Sequence, residues 1–300
     1  MDTFRLSVEG PDVDGCNPLG SEDDVEDAIL CGWSERDSLS PERLGDLEGA
    51  WRGNVTTVLS NNYGPDHKLV HRQLLAQSRA LPIAISLIVQ KLRNSITTLQ
   101  TLPATERVQT AVGKISADAK ELIRTPPKSL KALRGIEGGS AFQYFSAWRQ
   151  LPIKWKGLGR RPIPNDWNSV GPRTSANNIK GYNRDASHPL NAILNYAYAV
   201  LESHVRIEII SQGYDPTIGY LHAFEKYREA LVFDLMEPLR PVVDLAVLGF
   251  AQSRTFERPD FTIRSDGVCR VNSDMARHVV SLLVMVLSRQ DAVGPLLVKV

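Results

Sequence analysis

Twenty-five residues near the middle of the chain, PLNAILNYAYAVLESHVRIEIISQG (189–213), constrain the fold more than any other stretch. Proline opens the run where a helix tolerates a missing N–H, and Gly213 closes it, so the segment carries its own start and stop signals. Its apolar residues cover more than one face, which predicts a central core helix that other helices must surround. Glu202, His204, Arg206 and Glu208 interrupt it with polar side chains, against a membrane span.

Helical patterns flank this segment on both sides. LVHRQLLAQSRALPIAISLIVQKLRNSITTLQ (69–100) reads as one long helix kinked at Pro82. TERVQTAVGKISADAKELIR (105–124) reads as a second, stopped by Pro126 and Pro127. A turn carrying Gly135, Gly138 and Gly139 is expected around Glu137, ahead of an aromatic helix over 140–151. After Gly213 come two shorter helical patterns around His222 and Asp234, a break at Pro238 and Pro241, and a last helix near 274–288. NVTTVLSNNYGP (54–65) has the β-branched run and turn residues of one or two strands. The fold class expected is α+β but mainly α, a small or degenerate N-terminal β region (1–65) preceding a large all-α domain (66–300).

Charge is unevenly spread. Residues 1–50 hold 14 Asp and Glu against 3 Lys and Arg, while residues 51–300 hold 20 against 32. A basic body behind an acidic head suggests a polyanionic partner, with the head competing for the same surface; a solvated face is an equal reading of the charge alone. The head is rich in Gly, Ser and Pro, lacks a sustained period, and is expected to be poorly ordered. The stretch 149–184 concentrates Arg149, Lys154, Lys156, Arg160, Arg161, Arg173, Lys180 and Arg184 against Asp166 alone, with Trp155, Trp167 and Tyr182 among them. That is the composition of a phosphate-binding loop. Three cysteines without a CxxC pair argue against a disulfide framework or a cysteine zinc site, and with no secretory leader legible the cytoplasm is expected.

The stretch GYLHAFEKYREALVFDLMEP (219–238) places His222, Asp234 and Glu237 within sixteen positions. On one unbroken helix His222 and Glu237 would lie about 22 Å apart, at about 1.5 Å per residue. Metal-bound donors must approach within roughly 3–4 Å of one another, so a shared ion requires the chain to double back near 225–229. Asp234 and Glu237, three apart, share a helical face, which is also common on solvated helices. His67 with His71, His204 with Glu208, and Asp274 with His278 read as ordinary helical neighbours, and Cys269 as a small buried residue.

Taken in order, LRGIEGGSAFQYF (133–145), HPLNAILNYAYAVLESHV (188–205), QGYDPTIGYLH (212–222) and LVFDLMEPLRPVVD (231–244) resemble the CRISPR-associated endonuclease/integrase family, Cas-one. RQLLAQ (72–77) and KLRNSITTLQ (91–100) are similar to its first helical segment, and DFTIRSDGVCRVNSDMARHV (260–279) to its last. The resemblance spans about residues 66–288. It implies a catalytic set of Glu137, His222, Asp234 and Glu237, in which Glu137, His222 and Glu237 hold Mn²⁺ or Mg²⁺ and Asp234 supports them. It implies DNA contacts from Arg160, Arg161, Arg184 and Arg240, with the basic 149–184 stretch and its aromatics holding backbone and splayed bases. It also implies joining of captured DNA to a CRISPR array by transesterification, a homodimer, and a Cas-two partner. The family usually opens with a β-rich domain that supports dimer and partner; here only about 65 residues precede the first matching helix. An array-independent, casposase-like integrase and a noncatalytic DNA-binding scaffold are the alternatives; a small-molecule metallohydrolase has only its ligand types in favour.

Overall fold

A computed structural model describes residues 5–8, 55–58, 64–171, 185–222, 229–288 and 293–297. Strands β1 (Arg5–Val8) and β2 (Val55–Val58) pair antiparallel, Arg5 opposite Val58. From residue 64 the described chain is mainly helical: α1 (His67–Ala76), α2 (Ala80–Gln100), α3 (Glu106–Arg124), α4 (Leu130–Ala147), α5 (Pro189–Ser211), α6 (Ala230–Ser253) and α7 (Ser273–Ser288). The rest of the acidic head lies outside the described residues, as do Arg173, Lys180, Tyr182 and Arg184.

Helix α2 packs between α3 and α6, α6 packs on α5, and α5 packs on α7. Leu190, Ile193, Leu194, Ala197, Leu201, Val205 and Ile209 of α5 are almost wholly buried, at the three- and four-residue spacing of one helical stripe. The more deeply enclosed helix is α6, with 15 of its 24 residues buried against 11 of 23 in α5. No helix among the described residues is long and apolar enough to cross a membrane.

Three expected breaks take other forms. The long helix over 69–100 divides at a 3-10 turn, Gln77–Arg79, ahead of Pro82. Pro82 then sits in the first turn of α2, where its absent N–H has no helical partner to lose. The glycine turn around Glu137 is instead the interior of α4, which starts at the Ser129 cap (Ala132 N donates to Ser129 Oγ, 3.2 Å) and runs through all three glycines. The break at Pro238 and Pro241 is absent, because α6 continues through both prolines. Each proline removes the N–H that would bond the carbonyl four residues earlier, which here frees the carbonyls of Asp234 and Glu237. Side chains of α2 hold the same segment: Asn94 Nδ2 donates to Pro238 O (2.7 Å) and Thr98 Oγ1 to Pro241 O (2.7 Å).

Of the tryptophans of the basic stretch, Trp167 is core and Trp155 is half-buried against it. Trp155, on strand β3 (Lys154–Lys156), stacks on Trp167 with centroids 5.8 Å apart, and both meet Phe261. Strand β3 pairs in parallel with β4 (Thr255–Glu257). Trp167 Nε1 donates to Ser187 O (3.2 Å) and Trp155 Nε1 to Trp167 O (3.0 Å). These rings are occupied in packing, so the expectation that they stack on bases is corrected. Strands β5 (Phe261–Ile263) and β6 (Cys269–Val271) form a hairpin beside this cluster.

Candidate functional site

The segment after α5 does double back on α6. It is not helical: residues 213–222 form turns, and Asp234, on the second turn of α6, gathers them. Asp234 has no solvent exposure. Its Oδ2 accepts the backbone N–H groups of Tyr220 and Leu221 (2.9 Å to the latter), and its Oδ1 accepts that of His222 (2.9 Å). Oδ1 also meets His222 Nδ1 at 2.7 Å. With both oxygens already acting as acceptors, Nδ1 is the donor, and in the neutral ring Nε2 is left with the lone pair. Gly219 allows this contact: a Cβ there would lie 2.6 Å from Ala230 Cβ and 2.9 Å from Asp234 Oδ2. Outer ties hold the turn in place. Gln73 exchanges two bonds with the Asp215 backbone (3.0 and 2.9 Å), Gln77 Nε2 donates to Gly219 O (2.9 Å), and Arg134 donates to Leu221 O.

Two glutamates converge beside this turn from α4 and α6. Lys91 of α2 donates to Glu137 Oε1 and to Glu237 Oε2, the latter at 2.6 Å. Arg240 Nε stands 3.2 Å from Glu237 Oε1. Its angle is too poor for a hydrogen bond, since that Nε has no hydrogen-bond partner, so the contact is an ion pair. The Arg240 guanidinium also lies over the Tyr198 ring, 4.9 Å from its centroid. Burial opposes the charge on Glu237, but Lys91 and Arg240, with a smaller contribution from His222, outweigh it and hold the carboxyl at about 2. Burial likewise works against the Lys91 ammonium, and the two glutamates more than compensate, raising it above the ordinary lysine value. A cavity of about 210 Å³ opens alongside, walled by Ala141, Tyr144, Phe145 and Tyr198, with Asp244 accepting the hydroxyls of Tyr144 (3.0 Å) and Tyr198.

Glu237 therefore gives acid stability a distinct shape. Its folded value lies below the ordinary 4.5, so its pairing stabilises the fold above pH 4.5 and is lost as pH falls toward about 2. Melting temperature is expected to fall more steeply over that window in the parent than in Glu237→Gln. Superimposable profiles for the two would show that this carboxylate is not held low.

Of the residues singled out in the sequence, the structure brings Glu137, Glu237, His222 and Asp234 into one region. Among the described residues, no three His, Cys, Asp or Glu side chains are grouped closely enough to hold a metal ion, and Lys91 bonds both glutamates. Arg240 belongs to the same cluster and is half-buried rather than displayed on the surface. Arg160 and Arg161 are exposed, and Arg184 lies outside the described residues. His67 and His71 are exposed; burial lowers the basicity of His204 against the pull of Glu208; burial pushes the Cys269 thiol up to about 12. His278 bonds the backbone carbonyl of Asp274 (2.7 Å), whose carboxylate takes Arg277 instead. Sequence reading missed Lys91, Arg134 and Gln73 as parts of the site. Lys91 lies 46 and 146 residues from its two partners, a separation no local pattern reveals.

The chain is 30% identical over 203 residues to a CRISPR-associated endonuclease Cas1 of Methanospirillum hungatei, covering 66% of this chain and 54% of the relative. It is also 30% identical over 221 residues to one from Thermus thermophilus, covering 73% and 60%. The chain thus matches little more than half the length of these relatives. Among solved structures, a Cas1 protein from Thermotoga maritima superposes with a TM-score of 0.60 at 20% identity, over 81% of this chain and 71% of that one. A casposase bound to its integration product superposes with 0.55 at 24% identity, over 83% and 71%. These two likenesses bear on the fold. A family model described as CRISPR associated protein Cas1 matches residues 49–171 and 172–283, most of the chain, and on that ground the protein belongs to the Cas1 family.

Proposed function

We propose that this protein is a divalent-metal-dependent DNA endonuclease and integrase that joins captured DNA to a CRISPR array. The observation that carries the reading is the convergence of Glu137 and Glu237 on one cation, beside an imidazole oriented by a buried carboxylate. Two hard carboxylates and one imidazole are a donor set suited to Mn²⁺ or Mg²⁺, and their pairing with an ammonium supports a cation-binding role. Glu137, Glu237 and His222 Nε2 would hold the ion, which supplies polarisation of a phosphoryl oxygen and readies a hydroxyl for attack. Asp234 acts through His222: it fixes the ring and its tautomer, and its own burial keeps it from substrate. Arg240, packed on Tyr198, supplies fixed positive charge beside Glu237 where phosphate negative charge would gather.

Exposed Arg160 and Arg161 suit the DNA backbone, whose contacts supply affinity without reading sequence. Reversing both to Glu is expected to weaken binding to unrelated DNA sequences alike and to flatten the slope of log affinity against log salt by roughly 1–2 units. A slope equal to the parental one would return this stretch to a solvated surface. A homodimer and a Cas2 partner are part of the proposal; solved neighbours include a complex of Cas6-RT-Cas1 with Cas2.

The direct test is strand transfer by the purified protein on branched DNA with Mn²⁺. Joined product that is lost on chelation is expected. DNA binding without joining under any divalent ion would leave a noncatalytic scaffold, and joining indifferent to a CRISPR repeat would favour the casposase-like alternative.

A further inference from the structure

Lys91 has no part in the ligand set proposed above, yet it stands between its two glutamates. Its ammonium bonds one oxygen of each glutamate, and its side chain is only 14% exposed. The second Glu237 oxygen faces Arg240, so two carboxylates and two cations form a neutral cluster. A divalent ion held by both glutamates would compete with Lys91 for their carboxylates, one oxygen of each being already bonded to the ammonium. With Lys91 14% and Glu237 11% exposed, repulsion between the two cations is weakly screened, so they exclude one another.

The backbone under Lys91 is fixed. Asn94 and Thr98, one and two turns further along α2, tie that helix to the carbonyls of Pro238 and Pro241 on the helix that bears Glu237. Relief therefore has to come from the lysine's four-carbon stem rather than from the helix. The cavity of about 210 Å³ is lined by Lys91 itself and gives the stem room to turn.

We propose that Lys91 is an internal competitor for the divalent ion, closing the glutamate pair in the metal-free protein and swinging into the adjoining cavity when the ion binds. This rests on the metal-binding reading above. Metal uptake is then an exchange of cations: Lys91 lowers the apparent affinity and, in return, keeps the buried Glu237 and the half-buried Glu137 neutralised before the ion arrives.

The experiment is calorimetric titration of Mn²⁺ alone into DNA-free protein, comparing the parent with Lys91→Met, Lys91→Arg and Glu237→Gln. Lys91→Met is expected to bind Mn²⁺ at least about tenfold more tightly, since the competing closed state is gone. Its metal-free form should melt below the parent, and saturating Mn²⁺ should close the gap. Lys91→Arg should keep the parental affinity. A lysine that merely supports the fold would lower the melting point without tightening Mn²⁺ binding. Lys91→Gln, which leaves the glutamates a hydrogen-bond donor, repeats the comparison if the methionine variant does not fold. Equal or weaker Mn²⁺ affinity without Lys91, with binding still lost in Glu237→Gln, overturns the competition and leaves the metal reading standing. If none of the proteins takes up Mn²⁺, the metal reading itself is lost and the competition with it.

Discussion

Glu237→Gln is expected to reduce DNA strand transfer by at least about 100-fold, beyond the roughly 10–100-fold typical of changes that only support a metal ligand. The substitution keeps the side chain's volume and leaves an amide oxygen to accept from Lys91. It removes the charge that both Lys91 and Arg240 are set against. Those two cations then face each other across a neutral amide, which disfavours any further positive charge in the pocket. DNA affinity is expected to stay close to parental, because on the proposed reading the exposed basic residues, not this one carboxylate, would meet the backbone. Glu137→Ala and His222→Ala should behave alike. Strand transfer within a few-fold of the parental rate in Glu237→Gln would remove Glu237 from the chemistry.

Asp234→Ala is expected to act on the fold itself. Its carboxylate accepts three successive backbone N–H groups and the His222 ring from a fully buried position. Removing it leaves those donors without their acceptor under α6. Breaking a buried charged contact of this kind costs about 3–5 kcal/mol. For a chain of this size that is a melting point lower by roughly 10 °C. Asp234→Asn is milder for stability, since one amide oxygen still accepts, but its NH₂ is turned against backbone donors and the imidazole loses its fixed tautomer. Activity in that variant should fall by about 10–100-fold. Thermal denaturation decides the first claim: an alanine variant melting within about 2 °C of the parent would mean the turn is held by Gln73, Gln77 and Arg134 without Asp234.

Much of this site was readable before any coordinates. The spacing of His222, Asp234 and Glu237 showed that one helix could not unite them. The turn at 213–222 does lie against α6 through Asp234, while most of the reversal expected near 225–229 falls outside the described residues. The resemblance singled out Glu137, and the structure sets it against Lys91 beside Glu237. The role of the aromatics was misread. Tryptophans among arginines look alike whether they meet bases or one another, and Trp155 and Trp167 meet one another.

Local chemistry determined where several helices begin and end. Thr105 caps α3 through its side chain, Pro189 opens α5, and α7 falls within a residue of its expected start, because caps and apolar spacing act over one or two turns. Tertiary structure alone decided whether α4 would run through three glycines and α6 through two prolines. Those residues weaken a helix by about 1 and 3 kcal/mol each relative to alanine, and only packing from outside the segment can offset that. It alone also decided that Lys91 would meet Glu137 and Glu237, a meeting produced by how α2, α4 and α6 pack and by no pattern within any one of them.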